Sequence, residues 1–162
     1  MRRTQLLCVF GVSLWLAVVA GRQGASPAAL SGTLRGHLKD ERFQIVTSIR
    51  GLPLGVREAL QTLFGSGLDI AEPEADFQGA GVNPNPKLPT RRLVAAGCSS
   101  DHCLVYYERG GSAHTWHVTL FRWTPSETRF EWGGIAPRGL ATIGDVRNAV
   151  LSGEIKSPGT SW

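Results

Sequence analysis

Cys98, Cys103 and the four residues between them are where residue type and spacing could do chemistry in this chain. Cys98-Ser99-Ser100-Asp101-His102-Cys103 lies between two apolar runs, and in an oxidising compartment a pair of thiols is read most simply as one bridge. Closing so short a loop stabilises a fold by only about 2 kcal/mol. The bridge is therefore expected to shape Ser99, Ser100, Asp101 and His102 into a presented loop more than to hold the domain together. Ordering such a loop in advance reduces the entropy lost on association, so the chemistry it suggests is recognition.

Other chemistries are weaker on the same residues. Zinc would need thiolates and imidazoles at short paired spacings, and Cys98, Cys103, His102, His114 and His117 do not show them. Neither a metal nor a cofactor is expected. Ser99, Asp101 and His102 supply the residue types of a serine relay, but near neighbours along a chain rarely reach relay geometry, and there is no Gly-x-Ser-x-Gly elbow. His114 and His117 are an odd number of residues apart, which on a strand sends them to opposite faces. His117, on a face shared with Thr115 and Thr119, reads as a solvent-side strand residue. No catalytic residue is assigned, and the sequence leans away from an enzyme.

The compartment is read from the N-terminus. Arg2 and Arg3 precede an apolar run over residues 6–20 that ends in Val18, Val19 and Ala20. Residues 1–20 read as a cleaved export signal, short of the roughly 20 apolar residues that a spanning helix needs. Uncleaved, they would be a membrane anchor and the chain's one membrane contact. Cys8 lies early in the apolar run and leaves with the signal. The expected location is periplasmic or secreted. Without residues 1–20 the chain keeps 142 of its 162 residues, and losing Arg2 and Arg3 lowers the formal charge from +4 to +2. Its arginines are scattered among acids rather than gathered in a stripe, which argues against nucleic acid as a partner.

Positioning the loop falls to the elements around it. Residues 21–40, rich in Gly, Ala and Ser, read as a flexible leader that carries His37. A single domain is expected over residues 41–156, with a C-terminal tail at 157–162. Residues 43–49 alternate as a strand. Pro53 then opens a helix on Val56, Leu60, Leu63 and Phe64, with Gly65 or Gly67 to end it. Residues 68–89 form a long polar connection whose acids, Asp69, Glu72, Glu74 and Asp76, read as a solvated face rather than a cation site. Residues 92–98, 103–108, 114–123 and 129–132 read as strands joined by short turns, a meander. Thr142, with Asp145 three residues later, opens a last helix. The fold class is α+β: an antiparallel meander with two helices packed on one face, in the order strand, helix, long loop, three to four strands, helix. Of Tyr106, Tyr107, Trp116, Trp123, Phe130 and Trp132, about half are expected in the core and the rest on a recognition face.

In spacing, compartment and flanking strands, residues 96–103 resemble the Cys-x4-Cys loop of bacterial periplasmic inhibitors of vertebrate-type lysozyme. That family's loop runs Lys-Pro-His-Asp between its cysteines, whereas here the order is Ser99-Ser100-Asp101-His102, so the imidazole comes one position later. The resemblance implies inhibition of an envelope-degrading enzyme by a loop histidine that enters its cleft. The residues themselves lead to an exported, non-enzymatic binding protein presenting a bridged hairpin loop to a protein or small-molecule partner. An inhibitor, and behind it a small hydrolase or metal-binding protein, are the alternatives.

Overall fold

Four long strands follow one another in sequence and in space. In the computed structural model, which describes residues 29–65, 67–79 and 85–157, β1 (Gln44–Val46) is followed in chain order by β2 (Arg91–Cys98), β3 (His102–Arg109), β4 (Thr115–Trp123) and β5 (Thr128–Ala136). All neighbours are antiparallel, and the sheet order is the sequence order. This is the meander that the alternation and short turns predict. The expected signal segment 1–20, Cys8, leader residues 21–28 and tail residues 158–162 lie outside the described residues.

The helices are α1 (Gly32–Asp40), α2 (Leu54–Phe64) and α3 (Ile143–Ser152). α3 begins as its sequence predicts, with Thr142 accepting from the Asp145 N–H while Asp145 accepts from the Thr142 N–H, a reciprocal cap that satisfies two orphan donors. Gly65 ends α2 in the left-handed conformation at φ 72°, where glycine carries no side-chain penalty. At the other end of α2, a Cβ on Gly55 would lie 2.2 Å from Thr128 Oγ1. Only a glycine lets the helix approach β5 so closely.

The helices cover both faces of the sheet rather than one. Leu104, Tyr106, Val118, Leu120 and Trp132 pack with Leu34 and Leu38 of α1 and Val146 and Val150 of α3. Leu93, Val105, Tyr107 and Phe121 pack with Val56, Leu60 and Phe64 of α2. The reason lies in β3, where the run from Cys103 to Tyr107 is apolar at every position and every residue is buried. A strand of that composition needs cover on both sides, so helices on a single face would have left Val105 and Tyr107 in water.

α1 corrects the flexible-leader reading over Gly32–Asp40. Ser31 Oγ accepts from the Leu34 N–H at 3.2 Å and caps the helix, and Leu34 and Leu38, one turn apart, are buried on its inner side. Arg35 donates to the Leu151 carbonyl at 2.7 Å. Arg147 of α3 donates to the carbonyls of Leu38 at 2.6 Å and of Lys39 and Glu41 at 3.3 Å, adding partners at a helix end whose own cap is the Glu41 N–H on the His37 carbonyl. The Gly- and Ser-rich composition hid two core leucines.

The long polar connection is tied down as well. The Ile49 N–H donates to Glu72 Oε2 at 2.7 Å, the Thr90 N–H donates to Asp69 Oδ1 at 3.1 Å, and Ala71 bridges to Arg92 beside β2. Two of the four acids thus hold the backbone rather than merely face water.

Candidate functional site

Cys98 and Cys103 pair across β2 and β3 and are joined by a disulfide, with their Cα atoms 4.1 Å apart. The hairpin tip beyond them is braced from within and from β4. The Ser99 N–H donates to the His102 carbonyl at 2.7 Å, the His102 N–H to Ser99 Oγ at 3.0 Å, and the Trp123 N–H to the Asp101 carbonyl at 2.8 Å. Ser100 is exposed and Ser99 and Asp101 are half-buried. His102 is 2% exposed. The bridged loop expected from sequence is present, but its imidazole points into the fold.

His102 is turned toward Glu41, the residue that ends α1. Its Nδ1 lies 3.1 and 3.2 Å from the two Glu41 carboxylate oxygens and 3.2 Å from Asp101 Oδ1. His37 Nδ1 bonds the same Glu41 Oε1 from the last turn of α1, and Ser99 Oγ donates to Glu41 Oε2. The two imidazole rings are 4.2 Å apart at their centres, tilted by 36°. His37 and Glu41 are four residues apart, the spacing that puts side chains on one helical face. Sequence reasoning reached Ser99, Asp101 and His102 and missed His37 and Glu41. The signals that could have found them were that four-residue spacing and the Ser31 cap ahead of Leu34 and Leu38.

A serine relay is not assembled. Ser99 Oγ donates to Glu41 and toward the His102 carbonyl, and its other bond is from a backbone N–H, so no imidazole nitrogen is placed to take its proton. What the cluster offers is two imidazole nitrogens and a carboxylate converging on one point.

The remaining histidines stand apart, as their odd spacing predicts. His114 is exposed, with Nε2 2.7 Å from Glu108 Oε2. His117 corrects the solvent-side reading, because it is 1% exposed. It stacks on Tyr107 at 5.3 Å between ring centres, and its Nε2 lies 2.8 Å from Thr115 Oγ1. The face of Thr115, His117 and Thr119 is the one that α2 covers. Burial, followed by the nearby Arg109 and Arg91 charges, pushes the His117 pKa down to about 4.

Beside the tip lies a groove of about 630 Å³ lined by Ile45 and Val46 of β1, Pro53, Cys98, Ser100 and Trp123, among others. A second groove of about 410 Å³ shares Pro53 and Trp123 with it and runs between the start of α2 and the β4–β5 turn. Ile45 and Leu54, 74% and 62% exposed, stand on these walls. Of the six meander aromatics, Tyr106, Tyr107 and Trp132 are buried, while Trp116, Trp123 and Phe130 keep partly exposed surface. Among the described residues no helix is long and apolar enough to cross a membrane. Comparison of the chain with protein-family models, with characterised proteins and with solved structures found no match to any of them.

Proposed function

We propose that this chain is an exported, non-enzymatic binding protein that engages a protein partner through the bridged β2–β3 tip and the groove beside it. The observation that carries the reading is that Cys98, Ser99 and Ser100 of the tip line the same groove as the exposed Ile45. An apolar anchor beside a preordered polar tip is the composition of a recognition surface. β1, at the edge of the sheet, adds backbone groups that an extended segment of a partner can pair with. The disulfide supports an oxidising, extracytoplasmic location.

Site-specific photo-crosslinking tests this directly. A crosslinker at Ser100 is expected to give one adduct of defined mass in the native envelope fraction. The same group at Arg138, beyond the far end of β5, is expected to give none. Adducts of equal yield from both positions, or from neither, would sink the reading. The inhibitor alternative keeps the bridged tip but changes the residues that would enter a cleft: Ser100 and Asp101 are available there, while the imidazole is occupied by Glu41. Stoichiometric inhibition of lysozyme, lost in Ser100→Arg, would establish it.

A further inference from the structure

We propose that His37, Glu41 and His102 form a three-ligand site for a divalent transition-metal ion of the zinc class. Their donor atoms lie within 4.8 Å of one another. In a tetrahedral zinc site, nitrogen and oxygen donors at roughly 2.0–2.1 Å from the ion stand about 3.3 Å apart, so closing on an ion asks for shifts on the order of an ångström. His102 Nδ1 already stands at that spacing from Glu41 Oε1, at 3.1 Å.

The pattern around His102 is the stronger argument. Three carboxylate oxygens, two from Glu41 and one from Asp101, surround Nδ1 at 3.1 to 3.2 Å, although a neutral imidazole nitrogen carries at most one proton to share. His37 brings a second imidazole to the same Glu41 oxygen. Two nitrogens and several anionic oxygens gathered at one point suit a cation there. Two imidazoles with a carboxylate select the zinc class over calcium or magnesium, which take oxygen ligands.

The supports are those of a built site. Ser99 Oγ donates to Glu41 Oε2 and orients the carboxylate. Arg147 holds the carbonyls at the end of α1, which carries His37 and leads into Glu41, and the disulfide at Cys103 holds the strand next to His102. A cavity of about 220 Å³, lined by His37, Asp101, His102 and Arg122 among others, opens onto both imidazoles. That leaves a fourth coordination position for water or an anion. The site adjoins the groove through Ser99, but none of the three ligands lines the groove.

Isothermal titration of chelator-treated full-length chain with zinc chloride tests the proposal. The expected result is one ion per chain with a Kd in the micromolar range or tighter. Binding should weaken at least tenfold in His37→Ala and in Glu41→Gln and remain unchanged in His114→Ala. Glu41→Gln keeps the side-chain shape, and circular dichroism establishes that each variant is folded. In histidine side-chain NMR spectra zinc should move the His37 and His102 resonances and leave His117 in place. No binding below millimolar zinc, binding that survives in both folded ligand variants, or equal loss in His114→Ala would each overturn the site and leave the cluster a hydrogen-bonded clasp.

Discussion

His102 and His117 sit on neighbouring strands, both almost fully buried, and share little else. His102 is at the tip end of β3 on the face covered by α1 and α3, where it meets Glu41 and Asp101. His117 is near the far end of β4 on the face covered by α2, against the Tyr107 ring and in the field of Arg109 and Arg91. One imidazole is surrounded by negative charge, the other by positive. A histidine's chemistry is thus set less by its strand position than by which distant elements the fold lays over it.

The contrast is most sharply tested at the His117 side. Tyr107→Ala removes a ring that stacks on His117 and meets Phe64 edge-on, and should cost about 3–5 kcal/mol in urea unfolding. A loss under about 1 kcal/mol would mean that this face is not the packed core described.

Next in size is a pH effect. The folded His117 has its pKa lowered to about 4 from 6.5, so between those values the unfolded chain binds the extra proton and the folded chain does not. Stability from this group is present above about pH 6.5 and is lost as pH falls to about 4, by up to about 3 kcal/mol. His117→Gln should flatten that part of the urea midpoint profile. An unchanged slope would place the effect on another group.

At the other site the expected stability effects are smaller and the functional ones larger. Replacing Cys98 and Cys103 together with Ser should lower stability by about 2 kcal/mol while reducing crosslinking at Ser100 much more. Losses of equal proportion would reduce the bridge to a staple. Arg147→Ala should cost about 1–2 kcal/mol through the carbonyls at the end of α1. It should raise amide exchange in α1 while leaving α2 protected. Uniform exchange across both helices would show that α1 is not held there.

Much of the scaffold was legible in the chain. Alternation and short turns specify the meander, Thr142 and Asp145 specify the start of α3, and the cysteine spacing specifies a bridged tip, because each is decided by contacts a few residues apart. The apolar run in β3 also carried its message, since a strand with no polar face must be covered twice. Which helices would cover it was not written locally.

The cluster was legible only in part. His102 and Glu41 are 61 positions apart, and neither has a neighbour in sequence that announces the other. His37 was obscured by surroundings whose glycine and serine content outweighs two well-spaced leucines. By itself, the sequence determined the four meander strands, their order, the α3 cap and the bridged loop, all products of local propensity and short-range pairing. Only the tertiary structure decided that α1 docks at the tip, that His102 turns inward to Glu41 and His37, and that His117 is buried among arginines. Those outcomes come from burying Leu34, Leu38 and the two faces of β3 at once, and that constraint belongs to the whole chain rather than to any segment.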